Sequence, residues 1–376
     1  MREIVILGST GSIGVQALEI IASHPESFRV VALAAGSGNL ELLARQAETF
    51  KVPVVATTGD RELLQSMTKA QVIDGATAAS QVAAIPSDVV LNAITGSIGL
   101  GPTLSALSSG NTVALANKES LVAGGELVTA YGRDRILPVD SEHSALAQAM
   151  RSGKRSEISK LVLTASGGPF RNRKDLHDVS VGEALAHPTW KMGPVVTINS
   201  ATLVNKGLEV IEAHHLFDIP YSKIDAVVHP QSVIHSMVEF RDGSTIAQAS
   251  PPDMKGPIAY ALSTGDRLSK VMKPVDWSAS HTWEFTPIDD ERFPAVELAK
   301  RCGELGTSVT AMYNAANEEG VGAFVEGRIG FTRIVEIVEA VVMRQGGGAL
   351  SPLRDISDVT AIEHDARVLA QELIRS

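Results

Sequence analysis

One cysteine, Cys302, stands in 376 residues. That excludes an internal disulfide and any cysteine-rich metal site. Its neighbours Lys300 and Arg301 would favour a thiolate, yet a lone cysteine in a helical pattern reads as a filler, not a nucleophile. Aromatic residues are scarce, at 4%, which argues against stacking platforms for single-stranded nucleic acid. Basic residues are outnumbered, 33 Lys and Arg against 43 Asp and Glu, for a net charge of -10. Such a field repels a polyphosphate backbone, so nucleic acid is not an expected partner. A small anionic substrate stays compatible, because a local cluster of donors outweighs the net field. No apolar run approaches a membrane span, and the first residues read as a strand and not as a signal peptide. The expectation is a cytoplasmic protein with no membrane contact.

What is present is apolar sequence in quantity: 44% hydrophobic residues on a chain long enough for two or three domains. Short apolar runs at Glu3–Leu7, Val30–Ala35, Val52–Ala56, Val89–Ile94, Thr112–Ala116 and Ile136–Val139 are separated by helix-length segments. Fully apolar strands alternating with helices predict an α/β domain with a doubly wound parallel sheet over residues 1–140. Beyond Asp140 the runs Leu161–Ala165, Ala226–Val228, Ile234–Phe240 and Thr245–Ala249 predict a second α/β domain, 141–272, with a partly antiparallel sheet. Helices are expected around Thr202–Ala213 and Ile258–Leu262. Residues 273–291, with their prolines and two tryptophans, read as a linker. Residues 292–376 read as a helical bundle through Ala295–Leu305, Val309–Val325, Thr332–Met343 and Asp358–Ile374, punctuated by glycines and Ser351-Pro352.

Chemistry-bearing motifs sit between these elements. Gly8-Ser9-Thr10-Gly11-Ser12-Ile13-Gly14 follows the first strand, where glycines let backbone approach a pyrophosphate at a helix N-terminus. A tight turn alone also favours glycine, but the position after the first strand favours a dinucleotide. The second strand ends in Ala35-Gly36-Ser37-Gly38-Asn39, without the carboxylate that usually grips the ribose hydroxyls of NAD. NADP is therefore expected. Asn117-Lys118-Glu119-Ser120 follows another strand, on the sheet edge where ligands bind.

Pro138-Val139-Asp140-Ser141-Glu142-His143 brings two carboxylates two residues apart. Oxygen ligands of this kind suit magnesium or manganese, while plain helix capping by Asp140 or Ser141 is an equal reading. In Ser200–Glu209, a helix starting near Ser200 would bring Asn205 and Glu209 together, and Lys206 and Glu209. These residues read either as a phosphate cradle beside a metal carboxylate or as a surface helix with one ion pair. Gly207 in mid-helix implies close approach by something else. Ser166-Gly167-Gly168 follows a strand as an anion-binding nest would. The long loop His187–Gly193 has the character of a lid. His229 reads as structural at least as readily as catalytic, at the start of a strand.

Together the segments GSTGSIG at 8–14, ANKES at 116–120, PVDSEH at 138–143, ASGGPF at 165–170, HPTWKMG at 187–193, SATLVNKGLE at 200–209 and HPQSVIHS at 229–236 resemble the 1-deoxy-D-xylulose 5-phosphate reductoisomerase family. The resemblance runs over essentially the whole chain. It implies an NADPH-binding Rossmann-like domain, a central catalytic domain and a C-terminal helical bundle, assembled as a homodimer. The family reaction rearranges 1-deoxy-D-xylulose 5-phosphate and reduces the product to 2-C-methyl-D-erythritol 4-phosphate. By resemblance, Asp140, Glu142 and Glu209 hold a divalent metal (Mn2+, Mg2+ or Co2+). Ser166, Ser200, Asn205 and Lys206 hold the substrate phosphate with His187 beside them, and Ser141 and Lys118 contact the reacting end. Thr10, Gly11, Ser12, Ile13, Gly36, Asn39, Asn117, Glu119 and Gly193 match cofactor contacts, and Trp190 and Met192 match the closing flap.

Two other readings bear on the same pattern. A metal-free semialdehyde dehydrogenase would need a nucleophilic cysteine near the site, and Cys302 lies in the bundle. An NADP-binding sensor would need the glycine loop but not three separated carboxylates and a phosphate cradle.

Overall fold

The computed structural model describes residues 1–190, 192–346 and 352–376. Lys191 of the lid loop and Ser351 of the Ser-Pro punctuation lie outside the described residues. The chain divides into two compact units, one of residues 1–120, 128–144 and 253–273, the other of 121–127, 145–252 and 274–376.

The first unit is organised by seven strands: β1 Arg2–Leu7, β2 Phe28–Ala35, β3 Val54–Thr57, β4 Gln71–Asp74, β5 Val89–Asn92, β6 Thr112–Leu115 and β7 Ile136–Pro138. Their order is β4-β3-β2-β1-β5-β6-β7, and every pairing is parallel. Parallel strands carry helices on both faces, so their side chains are apolar in both directions. Ile4, Val5, Ile6 and Leu7 are accordingly all fully buried. The order reverses at β1, which has β2 on one side and β5 on the other. That switch point opens a crevice at the carboxyl ends of the strands, where an α/β sheet binds its ligands. β4 was not expected from sequence, because only Val72 of its four residues is buried.

A helix from far along the chain, Lys255–Leu262, completes this unit. Its Ile258, Ala259, Ala261 and Leu262 enter the same core as Ile4, Ile6, Ala17 and Leu18. Lys255 pairs with Glu19 of the first helix at 2.8 Å. From sequence the helix sat with residues 141–272; its apolar face belongs to the parallel sheet.

The second unit holds a mixed sheet of β8 Ile158–Ala165, β9 Ile224–Val228, β10 Ile234–Phe240, β11 Thr245–Ala249 and β12 Thr286–Pro287, in the order β11-β10-β8-β9-β12. β8 and β9 run parallel and the other pairings are antiparallel. The stretch read as a linker thus contributes an edge strand, β12, against β9. Four helices follow at Ala295–Leu305, Thr307–Val325, Arg333–Gln345 and Ile356–Arg375. Thr307–Val325 is buried along most of its length, as a helix at the centre of a bundle must be.

The Val204–Phe217 helix packs against Ala295–Leu305. The reason for Gly207 lies there: a Cβ would come within 2.9 Å of the Ala299 Cβ and 2.8 Å of the Tyr313 hydroxyl. The close approach inferred from sequence is helix against helix. Among the described residues, no helix is long and apolar enough to cross a membrane.

Candidate active site

In the first unit the glycine loop closes tightly on itself. Gly8 has φ +81°, and a Cβ there would sit 2.6 Å from the Ala93 carbonyl oxygen. A Cβ on Gly14 would sit 2.3 Å from the Gly8 oxygen. Only glycine permits the first helix, Ser12–Ser23, to start this close to β1. Thr10, Gly11, Ser12 and Ile13 are therefore carried at a helix N-terminus beside the switch point. The residues suit a pyrophosphate, which gains from free N–H groups and the helix dipole.

At the end of β2, Gly36 precedes a short turn, Ser37–Asn39. The Asn39 side chain accepts the Leu42 amide at 3.0 Å and so caps the next helix, Leu40–Phe50. Asn117, after β6, is 1% exposed. Its amide donates to the Ile94 oxygen at 2.7 Å, the Gly96 oxygen at 2.8 Å and Glu119 Oε2 at 2.8 Å. Its Oδ1 accepts the Ser120 amide and hydroxyl. Asn117 thus ties the loop after β5 to the loop after β6, and Glu119 is held in the same network.

The neighbouring Lys118 donates to Asp140 Oδ2 at 2.8 Å. His143 Nδ1 lies 2.9 Å from Asp140 Oδ1, which also accepts the Glu142 amide at 3.1 Å. The capping reading of this motif holds: Asp140 caps the Ser141–Ala149 helix through one oxygen and keeps the other on the Lys118 ammonium. Burial pushes the Asp140 carboxyl up, but Lys118 and His143 outweigh it and hold the group well below the usual range. The Ser141 hydroxyl donates to Glu142 Oε2 at 2.6 Å. His143, fully buried, was not singled out from sequence. Its signal was the spacing of three from Asp140 on one helix face.

In the second unit the helix expected over Thr202–Ala213 is Val204–Phe217, but it does not begin near Ser200: a separate helix, Pro194–Ala201, precedes it, and the two are broken at Leu203 with φ +58°. Ser200 therefore lies in the last turn of one helix, not at the N-terminus of the next. Leu203 donates its amide to the Ser200 oxygen at 3.2 Å. Asn205 and Lys206 fall in the first turn of the second helix, and both donate to Glu209. Lys206 and Glu209 are 3% and 1% exposed, so the surface-helix reading fails. A buried ion pair is costly to desolvate and adds little stability by itself.

Gly167 and Gly168 follow β8 with φ +79° and +64°. A Cβ on Gly168 would lie 2.9 Å from the Ser200 oxygen, so the glycine turn is seated on the end of the Pro194–Ala201 helix. Ser166 Oγ is 3.0 Å from His187 Nε2. Gly193 starts the Pro194–Ala201 helix, with proline at its first position. Trp190 lies against His235, ring centroids 6.2 Å apart.

His229 follows β9 instead of opening a strand. Its Nδ1 meets the Glu284 oxygen at 2.9 Å, and its Nε2 accepts the amides of Val233 and Ile234. It is a structural histidine fastening the β9–β10 connection. Asn199 is likewise structural, its Oδ1 accepting the Asn317 side-chain amide at 3.0 Å. Cys302 is buried, and burial pushes its thiol up to about 12, which removes the nucleophile that a semialdehyde dehydrogenase needs.

The donor chemistry fits a hard divalent cation. Asp140, Glu142 and Glu209 are carboxylates, and two of them carry lysine ammoniums in the place of a cation. The glycine cradle fits a dinucleotide.

Models of the 1-deoxy-D-xylulose 5-phosphate reductoisomerase family match residues 4–125, its C-terminal domain 136–217, and the further C-terminal domain 249–369. The reductoisomerase of Arthrobacter sp. (strain FB24) is 56% identical, over 96% of this chain and 95% of its own. That of Leifsonia xyli subsp. xyli is 58% identical over 91% of each. A crystal structure of DOX-P reductoisomerase in complex with NADPH, fosmidomycin and magnesium superposes with a TM-score of 0.93 at 35% identity, covering 100% of this chain and 98% of that one. The Zymomonas mobilis enzyme in complex with NADPH gives 0.92 at 38% identity, over 100% and 99%. With the glycine cradle, the lysine-held carboxylates and this full-length similarity all in agreement, the chain belongs to the 1-deoxy-D-xylulose 5-phosphate reductoisomerase family.

Proposed function

We propose that this enzyme rearranges 1-deoxy-D-xylulose 5-phosphate and reduces the product to 2-C-methyl-D-erythritol 4-phosphate, using NADPH and a divalent metal, magnesium being the one present in solved relatives. The observation that carries the proposal is the buried Lys206–Glu209 pair with Asn205 beside it, in the first two turns of one helix. It joins donors for an anionic phosphate to a carboxylate for a cation.

In this reading Ser166, Ser200, Asn205 and Lys206 anchor the phosphate, and His187 supports them. Asp140, Glu142 and Glu209 would hold the metal, which when bound supplies Lewis-acid stabilisation of negative charge on the sugar oxygens. Lys118 and Ser141 orient the reacting carbonyl and hydroxyl groups, and the Asp140 partnership keeps the Lys118 ammonium in place. Thr10, Gly11, Ser12, Ile13, Gly36, Asn39 and Glu119 line or shape the NADPH site, with Asn117 acting through the loops it ties and Gly193 through the flap. NADPH supplies the reducing equivalent. Binding of the remote phosphate provides energy for closing the 187–193 flap and excluding water from the reacting centre.

The corresponding division of labour is an NADPH domain of residues 1–140 completed by the Lys255–Leu262 helix, a catalytic domain from the rest of 141–272 with the edge strand of 273–291, and a helical bundle of 292–376, working as a homodimer. Purified protein with 1-deoxy-D-xylulose 5-phosphate and NADPH should oxidise the cofactor only when a divalent cation is present, giving the methylerythritol phosphate. Absence of oxidation from a folded, NADPH-binding protein overturns the substrate assignment.

A further inference from the structure

The 187–190 turn has one organising atom. His187 Nδ1 lies 3.1 Å from the Thr189 amide nitrogen and 2.9 Å from that of Trp190. Backbone N–H groups only donate, so Nδ1 accepts both bonds and carries no proton. The ring does here what an Asp or Asn oxygen does in an Asx-turn. Pro188 suits the intervening place, because it fixes its own φ and has no N–H to satisfy.

With Nδ1 an acceptor, the neutral imidazole carries its proton on Nε2. That nitrogen is 3.0 Å from Ser166 Oγ and donates to it. The Gly168 amide donates to the same oxygen at 3.2 Å. A serine hydroxyl offers two lone pairs and one proton. Both lone pairs are taken, so the Ser166 proton is what the group has left to give, and it seeks an acceptor such as a phosphate oxygen.

We propose that His187 is a positioning residue with two linked duties: its Nδ1 folds the Thr189–Trp190 turn of the flap, and its Nε2–H turns the Ser166 hydroxyl into a donor for the substrate phosphate. The second duty rests on the reading of Ser166 as a phosphate contact; the first does not. The first requires the neutral ring, since only an unprotonated Nδ1 accepts; the Nε2–H is present in either charge state. A proton on Nδ1 would face two N–H groups and expel them. The surroundings keep the ring neutral: burial lowers its pKa, and Arg171, from the loop after β8, lowers it further. The Pro194–Ala201 helix carries no titratable side chain. Glu183 of the preceding short helix is engaged by Ser180 and Arg173.

Asn and Gln separate the two duties, since an Asn amide reaches the place of Nδ1 and a Gln amide that of Nε2. In a Trp277→Phe/Trp283→Phe background Trp190 is the remaining tryptophan, and its emission reports the flap turn without substrate. His187→Asn should keep the wild-type emission, whereas His187→Gln and His187→Ala should shift it to the red. In the wild-type ring the emission should titrate on acidification, with a midpoint below 6.5, and this step should vanish in His187→Asn. For turnover, His187→Asn should raise the KM for 1-deoxy-D-xylulose 5-phosphate about tenfold, the loss of one hydrogen bond to a charged group, with the KM for NADPH unchanged. Wild-type emission in His187→Ala, or a titration in His187→Asn as large as the wild type's, overturns the turn-folding duty; a smaller step from the His235 ring against Trp190 is common to both proteins. An unchanged substrate KM in His187→Asn overturns the Ser166 duty. Lack of turnover by the unmutated enzyme strikes the proposed function, and the emission measurements still decide the turn.

Discussion

Lys118 Nζ and Asp140 Oδ2 stand 2.8 Å apart, each side chain 12% exposed. The pair joins the end of β6 to the end of β7, so two adjacent parallel strands deliver opposite charges to one place. Its Asp140 member is also the cap of the helix that carries Glu142. Replacing Asp140 with Asn leaves an amide able to cap but removes the countercharge for Lys118. Asp140→Asn should therefore keep its secondary structure while losing tight divalent-cation binding. Isothermal titration with Mg2+ or Mn2+, paired with circular dichroism, checks this: wild-type affinity in the Asn variant would remove Asp140 from the metal ligands.

Asn117 separates a structural role from direct cofactor contact. Its buried side chain makes several bonds within the protein, and each buried group stranded by Asn117→Ala costs about 1–3 kcal/mol. The variant should melt well below the wild type and bind NADPH weakly, while the protein that remains folded keeps its KM for the sugar phosphate. Thermal unfolding and NADPH titration together test it. Weak NADPH binding at an unchanged melting temperature would point to a direct contact instead.

These two sites show what sequence reading reaches. β1, β2, β5 and β6 were legible because strands covered on both faces must be apolar throughout. The glycine loop was legible because only glycine fits where Gly8 and Gly14 meet backbone. β4 was not, since an edge strand with one buried residue leaves no apolar run. The break at Leu203 was hidden as well. A leucine with positive φ contradicts its own local preference and is held by tertiary context. The Lys255–Leu262 helix was visible as a helix, but periodicity carries no address, so its place on the parallel sheet was not. Asp140 is the instructive case: capping and metal ligation were weighed as rivals, yet a carboxylate has two oxygens, and capping through one leaves the other to a cation, here the Lys118 ammonium.

Glu183 gives the sequence before the flap a pH signature. Ser180 and Arg173 hold its carboxyl at about 2, down from 4.5. A folded value below the unfolded one means the stabilisation is complete above 4.5 and fades as pH falls toward 2. Protection against hydrogen exchange over residues 173–186, measured relative to the intrinsic amide rate at each pH, should therefore fall on acidification across that window. Glu183→Gln should exchange faster at neutral pH and lose the acid step. An acid step of equal size in the Gln variant would assign the effect elsewhere.

Gly207 predicts a steric penalty that helix propensity alone would get wrong in sign. Alanine should favour an isolated helix by about 1 kcal/mol. In place, its Cβ meets the Ala299 Cβ and Tyr313 hydroxyl inside ordinary contact distance, and overpacking costs about 1–3 kcal/mol. Gly207→Ala should lower the melting temperature, and adding Tyr313→Phe should restore part of it by removing the nearest atom. A Gly207→Ala protein as stable as wild type would mean that the helix pair moves apart freely.

The Lys206–Glu209 pair sets stability against function. Removing one member leaves a buried charge without its partner, at about 3–5 kcal/mol. Lys206→Met and Glu209→Leu should each destabilise strongly. The double variant should be more stable than either single one, because apolar side chains of similar volume replace a buried ion pair at little net cost. If the pair existed to hold the Val204–Phe217 helix in place, the double variant would work. In the proposed site it cannot, since Lys206 supplies charge to the phosphate and Glu209 an oxygen to the metal. The double variant should thus fold, bind NADPH and turn over no substrate, by thermal unfolding, cofactor titration and the NADPH oxidation assay. Turnover near wild type from the folded double variant would reduce the pair to a packing feature.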